Sequence, residues 1–213
     1  MSFAIKYAPK HLDDVVMSST TLKNKLAEYL NDRDLKPLIL YGGVGTGKTT
    51  IANLLPSAIE GKDAQITRLK ATEFSTMNDV NDVFGGPPMF YKLFTTNDQK
   101  RTYVISNEIN FTAKAAIAFR DIVDDMVSHT QFIFTTNYID QVDIALRDRS
   151  NCVCVPPVTA KDWLTRAQWI LGEEGIALPD CSLVRLILSF FQFFQVNQES
   201  ELLVNHSIPL RVC

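Results

Sequence analysis

The sequence predicts an α/β fold: a five-stranded parallel sheet flanked by helices, followed by a small helical unit. Three observations predict it. Short apolar runs alternate with segments of helical period, the pattern of βα units in a parallel sheet. The stretch Tyr41-Gly42-Gly43-Val44-Gly45-Thr46-Gly47-Lys48-Thr49-Thr50 follows the apolar run Leu38-Ile39-Leu40 and leads into a helical segment. Pro156-Pro157 then breaks the chain before further helical sequence, dividing it into an expected sheet domain, 1–156, and a helical domain, 157–213.

In chain order, Lys6-Tyr7-Ala8-Pro9-Lys10 opens with an X-Pro break, followed by Leu12, Val15 and Val16. Ser19-Thr20-Thr21 offers an N-cap for a helix with Leu22, Leu26, Tyr29 and Leu30 on one face. Leu38 to Leu40 is the first strand. The helix beginning at Lys48 is expected to be cut short by Pro56 near Leu55, with Gly61 marking the exit. Ile66 to Leu69 reads as a strand, Thr76 to Phe84 as a helix, and Gly85-Gly86-Pro87-Pro88 as a break. Tyr103-Val104-Ile105 is a third strand, ending in Ser106-Asn107-Glu108. Thr112 to Val127 has Ala115, Ala116, Phe119, Ile122, Val123 and Met126 on one helical face. Phe132-Ile133-Phe134 is a fourth strand, Asp140 to Leu146 a short helix, and Cys152 to Val155 a fifth strand. Beyond the prolines, Thr159 and Asp162 have the spacing of a capping box. The helix they open carries Trp163, Leu164, Ala167, Ile170 and Leu171, and a second starts near Ser182.

Composition narrows the possibilities. With 213 residues, 46% hydrophobic and 21% charged, the chain suits one ordinary domain with a small appendage and is not disordered throughout. A net charge of −3 gives no overall basic field, so any nucleic-acid contact must be local. The start has no apolar segment of signal-peptide length, and Leu183 to Val196 is too short and too polar to span a bilayer. Cys152, Cys154, Cys181 and Cys213 form no C-x-x-C pair, which argues against a zinc ribbon or a disulfide framework. A cytoplasmic protein with no membrane partner is expected.

The glycine-rich stretch matches G-x-x-x-x-G-K-[ST] at Gly42, Gly47, Lys48 and Thr49. Phosphates carry several negative charges, and inward-pointing backbone N–H groups can cradle them where glycines permit unusual φ angles. The helix that begins at Gly47 or Lys48 adds the positive end of its dipole. Lys48 is placed to reach the β- and γ-phosphates and the Thr49 hydroxyl to ligate Mg²⁺. Gly42, Gly43, Val44, Gly45, Thr46, Gly47, Lys48, Thr49 and Thr50 are the candidate contacts to ATP and its magnesium. The plain alternative is a flexible turn between strand and helix.

Ligands of open parallel sheets bind at the carboxyl ends of the strands. There, Asn107-Glu108 occupies the position where phosphate-loop ATPases carry Asp-Glu. Glu108 is a candidate to polarise the attacking water, and Asn107 offers a metal an oxygen without a charge. Asn137 is a candidate for the γ-phosphate or the water. Arg149 stands at a domain edge, suited to act on a neighbour's phosphate, a role worth on the order of 10³–10⁵ in rate. Tyr7 and Val16 are candidates to wall an adenine. Each has a plainer alternative: a solvated Glu, a turn Asn, a solvated charged residue, an N-terminal arm packed on the core.

As an ordered set these pieces resemble the AAA+ family, and within it the sliding-clamp-loader ATPase subunits, above all replication factor C small subunits and the large clamp-loader subunit of tailed phages. The resemblance covers about residues 3 to 180 and extends beyond the phosphate loop. Lys6-Tyr7-Ala8-Pro9 with Asp14-Val15-Val16 is similar to the family's K-Y-R-P…D-V-V opening. Phe119-Arg120-Asp121-Ile122-Val123-Asp124 is similar to its L-R-x-x-M-E helix, and Phe134-Thr135-Thr136-Asn137-Tyr138 to its sensor-1 turn. Asp148-Arg149-Ser150 stands at its S-R-C arginine finger, and Lys161-Asp162 to Gly175-Ile176 resembles its lid helix. The resemblance implies an ATPase ring of clamp-loader subunits that grips a sliding clamp and primer–template DNA, in the host cytoplasm if the chain is phage-encoded. Arg149 would act in trans, and Thr112 and Lys114, at a helix start, would contact DNA.

The departures are specific. Ala8 replaces the family arginine and Asn107 the metal-holding aspartate; Asp148 and Ser150-Asn151 blur S-R-C. Lys70 stands near the family's polar switch residue. Phe190 to Val196 has no arginine at the sensor-2 position, and the chain stops at Cys213 before any collar domain, which suggests an incomplete lid. Two further readings therefore stand beside the loader: a nucleotide-binding subunit that hydrolyses poorly or not at all, and another AAA+ DNA-remodelling ATPase.

Overall fold

A computed structural model describes residues 3–31, 36–61, 64–70, 102–107, 109, 113–126 and 130–189 of the chain. A short helix α1 (Phe3–Lys6) and a single helical turn (Leu12–Asp14) precede α2 (Thr20–Asn31). Ser19 caps α2: its Oγ accepts the Leu22 N–H at 3.2 Å. The sheet consists of β1 (Leu38–Tyr41), β2 (Gln65–Lys70), β3 (Thr102–Asn107), β4 (Thr130–Thr136) and β5 (Asn151–Cys154). Its order is β2-β3-β4-β1-β5, and every pairing is parallel. Helices α3 (Lys48–Glu60) and α4 (Ala113–Met126) and the five-residue α5 (Ile144–Asp148) complete this unit among the described residues.

Alternation along the central strands divides the core between the two faces. Leu38, Leu40, Tyr103, Ile105, Ile133 and Val153 pack with α2 and α3 through Leu22, Leu26, Ile51, Ala52 and Leu55. Ile39, Val104, Phe132 and Phe134 pack with Phe119 and Val123 of α4 and Leu146 of α5. Phe119 meets Phe132 and Phe134 edge-on, at centroid distances of 5.6 and 5.5 Å. Because helices cover both faces, Leu38 to Leu40 of β1 and Phe132 to Phe134 of β4 are unbroken apolar runs. Gln131, one of the buried polar residues of β4, donates to the Tyr29 hydroxyl and to the Lys36 carbonyl at 2.9 Å.

Two sequence expectations need correcting. Pro56 does not end its helix: α3 runs on to Glu60, and Gly61, at φ +80°, stops it. An interior proline costs about 3 kcal/mol through its missing N–H and ring clash. Packing of Ile51 and Leu55 into the sheet's core, and of Ile59 against it, offsets that cost, each large apolar side chain contributing about 1.5–3 kcal/mol when fully buried. The expected helix from Asp140 to Leu146 is two pieces, a turn at Ile139–Gln141 and α5 from Ile144. Asp143 separates them because its carboxylate accepts the Leu146 N–H at 3.2 Å, beginning a new helix instead of continuing the old one. The helix expected over Thr76 to Phe84, and the break at Gly85 to Pro88, lie outside the described residues.

The chain divides into two units, Met1–Pro157 and Val158–Cys213. The second holds α6 (Ala160–Glu173) and a helix α7 over 180–189. Thr159 and Asp162 form the reciprocal cap: Asp162 N–H donates to Thr159 Oγ1 at 3.3 Å, and Thr159 N–H to Asp162 Oδ2 at 3.0 Å. Gly175, at φ +69°, closes α6, with the Ile176 N–H bonded to the Leu171 carbonyl at 2.9 Å. Gln168 Nε2 donates to Asp180 Oδ1 at 2.6 Å, linking α6 to the start of α7.

The cysteines offer a simple check on the edge strand. Cys152 is half-buried and donates to the Arg147 carbonyl at 3.8 Å, and burial pushes its thiol above the ordinary range. Cys154 and Cys181 are exposed. Since the thiolate is the nucleophile, iodoacetamide at neutral pH is expected to label Cys154 and Cys181 well before Cys152. Time-resolved peptide mass spectrometry reads the order, and equal rates would contradict the placement of β5.

Candidate functional site

Although first in sequence, β1 lies between β4 and β5, and the connections leaving β1 and β4 run to opposite sides. A crevice therefore opens at the carboxyl ends of these two strands, where open α/β sheets bind ligands. The register carries the residues of interest to this edge. Tyr41 pairs with Thr136, so Gly42 and Asn137 both leave the sheet at the same level. Asn107 pairs with Thr135, itself the partner of Leu40, and on its other side with Lys70.

The loop from Gly42 to Gly47 is built from positive φ angles: Gly42 at 149°, Gly45 at 75° and Gly47 at 90°. Gly42 passes so close to the end of β5 that a Cβ would lie 2.3 Å from the Val155 carbonyl oxygen. Thr46 Oγ1 donates to the Gly43 carbonyl at 3.0 Å, pinning the loop across its own turn. Lys48 is 7% exposed, and its Nζ donates to the carbonyls of Gly42 at 2.9 Å and Gly43 at 2.6 Å. The ammonium is thus held inside the loop at the positive end of α3. Gly47 begins α3 in a left-handed conformation and has no side chain with which to cap the helix. Backbone N–H groups, helix dipole and ammonium together make a site for a polyanion such as a chain of phosphates.

The remaining candidates are distributed around this loop. Thr49 is exposed and Thr50 half-buried in the first turn of α3. Val44 is 61% exposed at the loop tip. Asn137 is half-buried just after β4, beside a turn in which Thr136 Oγ1 accepts the Tyr138 N–H at 3.2 Å. Tyr7 and Val16 are half-buried in the N-terminal segment. Leu12, Val15 and Met17 of that segment pack on the α2–α3 side of the core, and Lys6 Nζ stands 4.9 Å from the Tyr7 ring centroid. Glu108 and Thr112 lie outside the described residues, and Asn107 and Lys114 are placed by backbone alone, in β3 and in the first turn of α4.

Arg149 is 44% exposed and tied to its own unit. Its Nε donates to both carboxylate oxygens of Asp124, at 3.3 and 3.2 Å, and its Nη1 to the Ala145 carbonyl at 3.1 Å. Sequence reasoning missed this partner, which lies 25 residues away on α4. The contact of Gly42 with Val155 was equally invisible, since no local pattern links a loop glycine to the end of a distant strand.

A parallel sheet in this order, with a lysine-bearing glycine loop at its switch point, defines a phosphate-loop nucleotide-binding fold. A family model described as "ATPase family associated with various cellular activities (AAA)" matches residues 38–155, more than half of the chain. The chain belongs to the AAA family. It is 27% identical over 179 residues to replication factor C small subunit 2 of Pyrobaculum islandicum, covering 84% of this chain and 55% of that protein. With the replication factor C small subunit of Thermofilum pendens it shares 26% identity over 179 residues, covering 84% and 54%. The chain thus spans about half the length of the curated relatives it matches. Among solved structures it superposes on the Thermotoga maritima RuvB Holliday junction branch migration motor with a TM-score of 0.63 at 17% identity, covering 87% of this chain and 60% of that one. AMPPCP-bound DnaA from Aquifex aeolicus gives a TM-score of 0.60 at 19% identity, covering 85% and 60%. These two likenesses concern the fold.

Proposed function

We propose that the chain is an ATP-binding and ATP-hydrolysing subunit of a sliding-clamp loader that works on primer–template DNA beside other loader subunits. The observation that carries this reading is the loop with Lys48 at the β1 switch point, with Asn137 and Asn107 on the same sheet edge. Similarity to replication factor C small subunits over most of the chain supports the choice of a clamp loader among AAA functions. In this reading the loop N–H groups and Lys48 hold the phosphates, Tyr7 and Val16 wall the adenine, and Glu108 and Asn137 orient the attacking water. The unit that holds α6 and α7 serves as the lid, and Arg149 serves a neighbour's site. Thr112 and Lys114 contact DNA backbone. Among the described residues no helix is long and apolar enough to cross a membrane, in keeping with a role in the cytoplasm.

Magnesium fits this site in company with the nucleotide. The protein donors in line for it, the Thr49 hydroxyl and Asn107, are uncharged, and among the described residues no cluster of three His, Cys, Asp or Glu could hold a metal alone. Magnesium held by the Thr49 hydroxyl, with Asn107 in line, would supply positive charge to neutralise the phosphates of the bound nucleotide.

Asn107 favours a second reading, a subunit that binds nucleotide but turns it over slowly. Turnover of magnesium-ATP by the wild type and by Asn107→Asp, with and without primed DNA and clamp, separates the two. Wild-type turnover stimulated by DNA and clamp is the loader's result. Slow wild-type turnover that rises about tenfold or more in Asn107→Asp is the result for the second reading, at the scale of 10–100-fold seen when partners of a metal site change. ATP binding without turnover in either protein would reject hydrolysis.

A further inference from the structure

We propose that Asp124 is a positioning residue for Arg149: it fixes the guanidinium so that its outer edge is presented to a phosphate on a neighbouring subunit. The inference rests on the reading of Arg149 as an arginine acting in trans. Its basis is the geometry between α4 and α5.

Five-residue α5 is too short to hold its own direction, and three contacts fix it. Leu146 is fully buried in the core. Asp143, at its start, lies 3.9 Å from Arg120 of α4. Asp124, one turn further along α4, takes Arg149 just beyond the end of α5. The two Arg–Asp pairs run in opposite senses between the same elements, so the backbone bearing Arg149 is set relative to α4.

The side chain is then set as well. A guanidinium has five N–H donors in one plane. The Nε–H is shared by the two Asp124 oxygens, and one Nη1 hydrogen goes to the Ala145 carbonyl. Those two bonds define the plane and leave three hydrogens, one on Nη1 and two on Nη2, without a bond to Asp124 or Ala145. A carboxylate gripping the outer edge would have blocked the arginine; one gripping Nε orients it. The pair is exposed, at 44% and 54%, so it contributes little to stability. Its effect is to remove rotamers that an exposed arginine would otherwise have to lose on meeting a phosphate.

The test is steady-state turnover of magnesium-ATP by the assembled complex carrying Asp124→Ala, Asp124→Glu, Arg149→Ala or the double variant. Asp124→Ala is expected to lower kcat about tenfold to a hundredfold, the scale of a catalytic group misplaced by about 1 Å. KM for ATP and thermal stability should stay as in the wild type, and Asp124→Glu should recover most of the loss. The double variant should be no slower than Arg149→Ala, because Asp124 acts through that arginine. If Arg149→Ala lowers kcat and Asp124→Ala does not, positioning is overturned while the trans-acting arginine stands. Losses that multiply in the double variant also overturn positioning. An unchanged kcat in Arg149→Ala overturns the trans-acting arginine and this proposal with it.

Discussion

Lys48→Ala is expected to lower ATP turnover by about 10²–10³-fold, the loss seen when one preorganised donor to a developing negative charge is removed. The ammonium is 7% exposed and already sits within the loop, on the carbonyls of Gly42 and Gly43. In such a partly desolvated position its attraction for phosphate exceeds that of a surface lysine. Affinity should fall too, because hydrogen bonds to charged groups contribute about 1.5–3 kcal/mol each. Turnover assays with equilibrium ATP titration check both. Thermal unfolding should show a stably folded variant, because the core lies away from the loop. Turnover within a few-fold of wild type would remove this loop from the chemistry.

Gly42→Ala is expected to be the most damaging single methyl in the loop. At φ +149° an alanine is strained, and its Cβ would stand 2.3 Å from the Val155 carbonyl oxygen. Neither backbone can readily yield, because the Val155 N–H is bonded to the Tyr41 carbonyl at 2.7 Å. Strain of about 1–3 kcal/mol and overpacking of about 1–3 kcal/mol add to roughly 2–6 kcal/mol. For a chain of this size that lowers Tm by roughly 4–24 °C. The adjacent Gly43→Ala supplies the control: its Cβ would meet only the Thr46 methyl, at 3.9 Å, so its Tm should stay close to wild type. Equal Tm values for the two variants would refute the close approach of loop and β5.

Much of the fold was legible because its signals are local. The short apolar runs of β1 and β4, the capping pair Thr159 and Asp162, and the glycine spacing before Lys48 each act within a few residues. Where local reading failed, a distant partner or a competing local bond had decided the matter. Pro56 has an unfavourable helix propensity, but the sheet beneath α3 outweighed it. Asp143 split an apparent helix because its carboxylate took a backbone N–H, a choice between two local bonds that spacing does not settle. The candidate site divides in the same way. Gly42 to Thr49 were readable as a phosphate loop from residue type alone, because the chemistry of phosphate requires glycine, lysine and hydroxyl in that order.

What the sequence by itself determined was the class of the protein: parallel βα units with a phosphate loop after the first strand, dictated by hydrophobic period and by glycine's access to positive φ. What only the tertiary structure decided was the company each residue keeps. The order β2-β3-β4-β1-β5 sets Asn137 beside Gly42, the end of β5 presses on Gly42, and Asp124 reaches Arg149 from another helix. Such contacts join residues far apart in the chain, and their geometry follows from how sheet and helices pack, which no spacing in the sequence encodes.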